Sequence, residues 1–194
     1  MSGSDTRPRV RRRAMRVLLV DDADRLLLFR DSDPGMSPVP TWWITPGGGV
    51  EPGERDVEAA VREVFEETGV QVAPDQLVGP LATRVVVHGY SDVVTTQDEA
   101  FWFVRVPAFE VSTVGHTEQE LLTMTAHRWW TRNELAATDD EVWPRDLLDL
   151  WSSAEDWLHA GRTTTSPTPV DLGTVEESTV PVRPDAPARP VHPA

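Results

Sequence analysis

The 194-residue chain has no cysteine, which removes disulfides, thiol nucleophiles, iron–sulfur clusters and cysteine-ligated zinc together. It has no lysine either, since all 18 basic residues are arginine. A P-loop lysine, a Schiff-base lysine and a lysine general base are therefore excluded. No apolar run approaches the roughly 18 to 20 residues needed to span a bilayer. The first such run, residues 17–20, ends at Asp21 and Asp22 and is too short for the core of a secretory signal. These absences lead us to expect a cytoplasmic protein with no membrane partner. Basic charge is scarce beside acidic charge, 18 against 32, for a net −14. A chain that neutralises many phosphates carries the opposite balance, so no stable nucleic-acid partner is expected. Acidity does not exclude a phosphate ligand, because clustered carboxylates that hold a divalent cation offer that cation's positive charge.

The length suits one domain with tails. Residues 1–13 are polar and hold Arg7, Arg9, Arg11, Arg12 and Arg13; such a charge block predicts a solvated, disordered arm. Two apolar runs, 17–20 and 26–29, flank the turn formers Asp21, Asp22 and Asp24 and predict a hairpin. Trp42, Trp43 and Ile44 read as a short strand that enters Pro46-Gly47-Gly48-Gly49. Over residues 55–68, Val57, Ala60, Val61, Val64 and Phe65 recur at helical spacing, with Gly69 placed to end the helix. Residues 77–81, 83–87, 100–106 and 127–130 predict further strands. Thr131 and Glu134 have the spacing of a capping box, and a longer helix is expected to begin near Pro144 and run to Gly161. Beyond it, residues 162–194 hold seven of the 17 prolines and few large apolar groups, a composition that predicts a disordered tail. The folded domain is thus expected over 14–161.

The chemistry-bearing residues lie between 47 and 70. Glu63, Glu66 and Glu67 are spaced i, i+3, i+4 and share one helix face. They occupy the last turns, where the negative end of the helix dipole opposes them, a conflict of about 1 kcal/mol or more. A hard divalent ion held by carboxylate oxygens would relieve it. The alternative is a solvated acidic face. Gly47, Gly48 and Gly49 let the backbone turn sharply and approach a ligand, and Glu54 reaches the cluster if this loop folds over.

Gly48, Glu54, Arg62, Glu63, Val64, Glu66, Glu67, Gly69 and Val70 together resemble the Nudix box, G-x5-E-x7-R-E-U-x-E-E-x-G-U with U a bulky aliphatic residue, and every specified position is met. The run 42–51 before the box and Arg128-Trp129-Trp130 ahead of Glu134-Leu135 are also similar to that family. The resemblance implies an α/β fold, an α/β/α sandwich around a mixed sheet. It implies that Glu63, Glu66 and Glu67 bind Mg2+ or Mn2+ with help from the Gly48 carbonyl, and that Arg62 holds a box glutamate, Glu54 or Glu63. It further implies Mg2+-dependent hydrolysis of a phosphoanhydride in a nucleoside diphosphate linked to another moiety, of (d)NTP or nucleotide-sugar type. The family marks of two branches are missing, since Val85 stands where one has proline and His88 where another has tyrosine.

Candidate general bases outside the box are Glu99, Glu118 and Glu120, with Glu99 favoured for its place beside a strand. Eight tryptophans are many for this length. Adjacent strand residues face opposite ways, so one of Trp42 and Trp43, and one of Trp129 and Trp130, points away from its neighbour. Trp43 and the only tyrosine, Tyr90, are the candidates to meet a base, and Gly47, Gly48 and Gly49 to approach the phosphates. The five histidines show no ligand spacing and receive no role. The small-molecule partner is a nucleotide, and a homodimer is the default assembly. Two other functions stay open: a silent Nudix-fold nucleotide sensor that docks through 162–194, and an RNA 5′-end pyrophosphohydrolase aided by the arginine arm.

Overall fold

Strict alternation along the first strand sets the architecture. In the computed structural model, which describes residues 5–160 and 167–182, β1 spans Arg9–Asp21. Its Met15, Val17 and Leu19 face one core, while Leu18 and Val20 face a second on the other side of the sheet. Asp21 closes the turn after β1 by accepting the Ala23 and Arg25 amides at 3.0 and 2.8 Å, and β2 (Arg25–Ser32) returns antiparallel. β3 (Thr41–Ile44), β4 (Val78–Gly89), β5 (Val94–Val106), β6 (Ala126–Thr131), β7 (Val142–Trp143) and β8 (Val170–Glu176) complete a mixed sheet ordered β7-β3-β2-β1-β5-β4-β8, with β6 also pairing β2. β1 lies parallel to β5 through thirteen consecutive pairs from Arg9↔Val94 to Asp21↔Val106.

Helix α1 (Asp56–Thr68) covers one face with Ala59, Ala60 and Val64, and α4 (Leu147–His159) covers the other with Leu147, Leu150, Trp151 and Ala154. This is the α/β/α sandwich expected from the sequence. Gly69 ends α1 at φ 76°, its amide bonded to Phe65 O at 2.8 Å. Two short helices, α2 (Glu118–Thr123) and α3 (Arg132–Ala137), each begin with a threonine capping box.

The tryptophan pairs split as alternation requires. Trp42 joins the α1-side core and Trp43 the α4-side core, while Trp130 is buried with Trp43 and Trp129 packs on the opposite side.

The structure differs from the sequence reading in four places. Residues 9–13, expected as a disordered arm, are the first part of β1; their side chains are largely exposed but their main chain pairs with residues 94–98. Within the expected tail, Val170–Glu176 is a strand parallel to β4; residues 161–166 and 183–194 lie outside the described residues, as do 1–4. The two expected strand pieces at 77–81 and 83–87 are one strand with an irregularity between Val78 and Ala82. The last helix starts at Leu147 rather than at Pro144. Among the described residues no helix is long and apolar enough to cross a membrane.

Candidate active site

The loop between β3 and α1 is sewn to β1 by its main chain. Met15 N donates to Gly48 O at 2.9 Å, Val17 N to Pro46 O at 2.8 Å, and Val50 N to Arg13 O at 3.1 Å. The fit depends on missing side chains. Gly47 sits at φ 135°, and a Cβ there would come within 2.0 Å of Met15 O. A Cβ on Gly48 would come within 2.6 Å of Glu63 Oε2. The glycines thus let the loop lie on β1 with the helix carboxylates directly behind it.

Helix α1 supplies those carboxylates, and Arg62 organises them. Its Nε donates to Glu54 Oε1 at 2.9 Å, Nη1 to Glu63 Oε1 at 2.8 Å and Glu66 Oε2 at 2.9 Å, and Nη2 to Gly49 O at 2.8 Å and Glu54 Oε2 at 3.0 Å. The loop does fold back, bringing Glu54 to the box, and Arg62 holds Glu54, Glu63 and Glu66 at once. The repulsion inferred along the sequence is therefore partly met from within the chain, and the dipole conflict alone does not demand a cation. Among the described residues no three acidic or histidine side chains converge on a single ion position as they stand.

Glu67 is the exception to this neutralisation. It is 2% exposed and, among the described residues, its side chain accepts only the Gly47 N–H, at 2.8 Å. Burial, with Glu63 and Glu120 adding negative charge, pushes its carboxyl well above the usual range. Burial likewise raises Glu63. Both carboxylates line a cavity of ≈ 610 Å³ together with the Gly47, Gly48 and Gly49 loop. Oxygen donors of this kind fit a hard divalent ion, which would supply the charge that Glu67 lacks. The Gly48 carbonyl keeps one lone pair after accepting from Met15.

Two guanidinium groups on β1, Arg12 and Arg16, line the same cavity. Arg16 is tied to Glu99 and to the Gly47 carbonyl, at 3.0 and 2.8 Å. The Gln97 amide, oriented to satisfy both neighbours, accepts from Arg12 Nη2 at 3.0 Å and donates to Glu99 Oε1 at 3.2 Å. Arg12 has no carboxylate in hydrogen-bonding contact among these interactions, so its charge faces the cavity. Tyr90 forms another wall and stacks on Trp42 with ring centroids 5.9 Å apart.

Of the expected site residues, Glu54, Arg62 and Glu66 sit beside the cavity without lining it, and Trp43 and Glu99 lie elsewhere. Trp43 points to the α4 side, where its indole N–H donates to Asp140 Oδ2 at 2.9 Å and its ring meets Trp130 edge-on; strand alternation sends Trp42, not Trp43, toward Tyr90. Trp42 is itself only 2% exposed. Glu99 is also outside the cavity lining, 2% exposed, with its oxygens taken by Arg16 and Arg84. Those two cations hold its carboxyl below the usual range in spite of burial, so its geometry is that of an internal ion pair. Of the carboxylates considered outside the box, Glu120 lines the cavity, from α2. Its helix was not among the expected elements, although Thr117-x-x-Glu120 has the same capping spacing that revealed α3. The carboxylate that caps Thr117 N at 2.7 Å is the one brought to the cavity.

Comparison with known proteins bears on this geometry. The NUDIX domain family matches residues 10–151. Diphosphoinositol polyphosphate phosphohydrolase 3-beta of Bos taurus is 58% identical over 40 residues, 21% of this chain and 24% of that protein. A MutT-like protein of Streptomyces ambofaciens is 29% identical over 137 residues, 71% of this chain and 75% of its own length. With several curated relatives the similarity is local, spanning 38%, 21% and 24% of their lengths. The crystal structure of a MutT protein from Bacillus halodurans superposes with a TM-score of 0.52 at 19% identity, covering 87% of this chain and 91% of that one, a likeness of fold. The family match spans the hairpin, the glycine loop, the carboxylate helix and the strands that carry the cavity, and the chain belongs to the Nudix family of hydrolases.

Proposed function

We propose that the chain hydrolyses a phosphoanhydride bond in a nucleoside diphosphate linked to another moiety, of (d)NTP or nucleotide-sugar type, with Mg2+ or Mn2+. The observation that carries this reading is the Arg62-organised carboxylate cluster beside a cavity that Arg12 and Arg16 also line. A cavity lined by both carboxylates and guanidinium groups suits a diphosphate held through a cation and through arginine. The volume of ≈ 610 Å³ is within the roughly 300 to 1,000 Å³ of small-molecule sites. Nudix proteins generally use a divalent metal. Here Glu63 and Glu67, joined by Glu66 and the Gly48 carbonyl, would hold it; when bound it neutralises phosphate oxygens and makes a water more acidic.

The chain's own groups do the remainder. Arg62 keeps Glu54, Glu63 and Glu66 in register. Arg12 binds phosphate oxygens and stabilises charge that builds on the departing phosphate. Glu120 accepts the proton of the attacking water, and the Gly47 to Gly49 backbone lets the substrate approach without a side chain in the way. Tyr90 packs against the base or the second moiety. The test is a panel of nucleoside triphosphates and nucleotide sugars with Mg2+ or Mn2+, products resolved by chromatography, with Glu66→Gln and Glu67→Gln as controls. Turnover of at least one substrate that both variants abolish supports the reading; no turnover of any panel member sinks it.

A further inference from the structure

The segment after α4 lies beyond the family match, which ends at residue 151, yet it delivers a buried carboxylate to the sheet. Glu177 follows β8, is 4% exposed, and accepts both terminal nitrogens of Arg84, Nη1 at 2.7 Å and Nη2 at 2.8 Å. From there the polar contacts continue without a gap. Arg84 Nε donates to Glu99 Oε2 at 2.8 Å, and Arg16 Nε donates to Glu99 Oε1 at 3.0 Å. Arg16 Nη1 donates to Gly47 O at 2.8 Å, and Gly47 N donates to Glu67 Oε2 at 2.8 Å.

Four charges of alternating sign, Glu177, Arg84, Glu99 and Arg16, therefore balance one another inside the protein, each under a tenth exposed. Backbone contacts fix Glu177 on both sides. Its N–H donates to Val87 O at 3.0 Å and its carbonyl meets His88 Nδ1 at 2.7 Å. Taking one end from such a row leaves an uncompensated buried charge, which is far more disruptive than losing a surface pair. Without Glu177, Arg84 is left with Glu99 alone and draws both its oxygens, since a guanidinium prefers a two-point grip on a carboxylate. Arg16 then loses its partner, and the acidic groups left to feel its charge include Glu67 and Glu63 at the cavity.

We propose that Glu177 is a positioning residue for the glycine loop: it holds Arg84 and Glu99 so that Arg16 stays on the Gly47 carbonyl and leaves Glu63 and Glu67 open to the cavity. The C-terminal strand is in this sense part of the working site. The idea rests on the hydrolase reading for its effect on turnover, but the loop's order can be measured in the metal-free protein without any substrate.

The experiment compares full-length wild type with Glu177→Gln, Glu176→Gln and Ser178→Ala. Glu176 is an exposed neighbour, and Ser178 ties the same segment to Gly89 N at 2.8 Å without touching the charge row. Amide hydrogen exchange at Gly47 and steady-state kinetics with Mg2+ are the readouts. Glu177→Gln is expected to speed Gly47 exchange about tenfold, and to lower kcat about tenfold with KM changed less than about twofold. The two control variants are expected to leave Gly47 exchange as in wild type. Unchanged exchange in folded Glu177→Gln overturns the proposal, as does an equal effect from Ser178→Ala, which would mean that docking of the strand is all that matters. If Glu177→Gln does not fold, the Arg84→Met/Glu177→Met pair decides: it removes two opposite charges and leaves Glu99 to Arg16. Gly47 protection near wild type is the expected result, and its loss in the folded pair overturns the idea. Absence of turnover with normal Gly47 exchange changes would count against the hydrolase reading and not against this one.

Discussion

Arg62 illustrates how one residue makes an unfavourable arrangement tenable. Its planar fork serves Glu54, Glu63, Glu66 and the Gly49 carbonyl together, a task that a single ammonium on a flexible stem does not perform. Arg62→Lys keeps the charge and loses the fork, so kcat should fall by about tenfold or more while the fold persists. Kinetics beside a circular-dichroism melt would show it, and wild-type kcat in the lysine variant would mean that only the charge counts. Glu120 and Glu99 separate in the same way. Glu120 borders the cavity whereas Glu99 is enclosed by two arginines. Glu120→Gln should lower kcat by roughly a hundredfold, with little change in melting temperature. Glu99→Gln should instead lower the melting temperature, because Arg16 and Arg84 lose their shared counter-charge. The assignment fails if Glu120→Gln keeps the wild-type kcat.

Elements whose order comes from side-chain burial were legible, and those held by main chain were not. The apolar stripe of α1 writes a period into the sequence, and the short apolar run 17–20 marks β1 as a strand buried on both faces. β8 has no such signal: none of its seven residues is buried, and it is held by its parallel ladder to β4 and by the carboxylate that follows it. Residues 9–13 are similar, with charged side chains outside and a continuous ladder to β5. The box carboxylates could be named from spacing, but Arg12 could not be told from its neighbours in the arginine run until β1 turned it toward the cavity. The glycine loop offers a test at this scale. Gly48→Ala sets a Cβ within 2.6 Å of the Glu63 carboxylate, so it should cut kcat about tenfold or more by moving that group. Gly53, at φ 84° with open space around it, should respond to alanine with about 1 kcal/mol less stability and unchanged kcat. Equal kinetic effects at the two positions would refute the claim that the Gly48–Glu63 contact shapes the site.

At the scale of the molecule, the sheet, the C-terminal strand and an aromatic column meet at His88. Its ring is fully enclosed beside Tyr90 and Trp143. The neutral imidazole donates from Nδ1 to Glu177 O at 2.7 Å, and Nε2 has no partner among the described residues. Burial, the leading cause, lowers its pKa from 6.5 to about 4, with Arg16 and Arg84 acting in the same direction and Glu99 opposing. A folded pKa below the unfolded one means that the unfolded chain takes up the proton first. The stability tied to His88 is therefore complete above pH 6.5 and is lost as pH falls toward 4. From pH 7 to pH 5 this amounts to roughly 2 kcal/mol. Glu63 and Glu67, whose carboxyls are raised, act in the opposite sense in that interval, so the net slope of the wild type does not isolate the histidine. Comparison with His88→Phe does, because the carboxylates are common to both proteins and cancel in the difference. Urea titrations at pH 7 and pH 5 should show the wild type losing more stability on acidification than the variant, by that roughly 2 kcal/mol. Parallel losses would mean that the His88 imidazole is protonated within the folded protein and that the junction of the sheet and the C-terminal strand tolerates its charge.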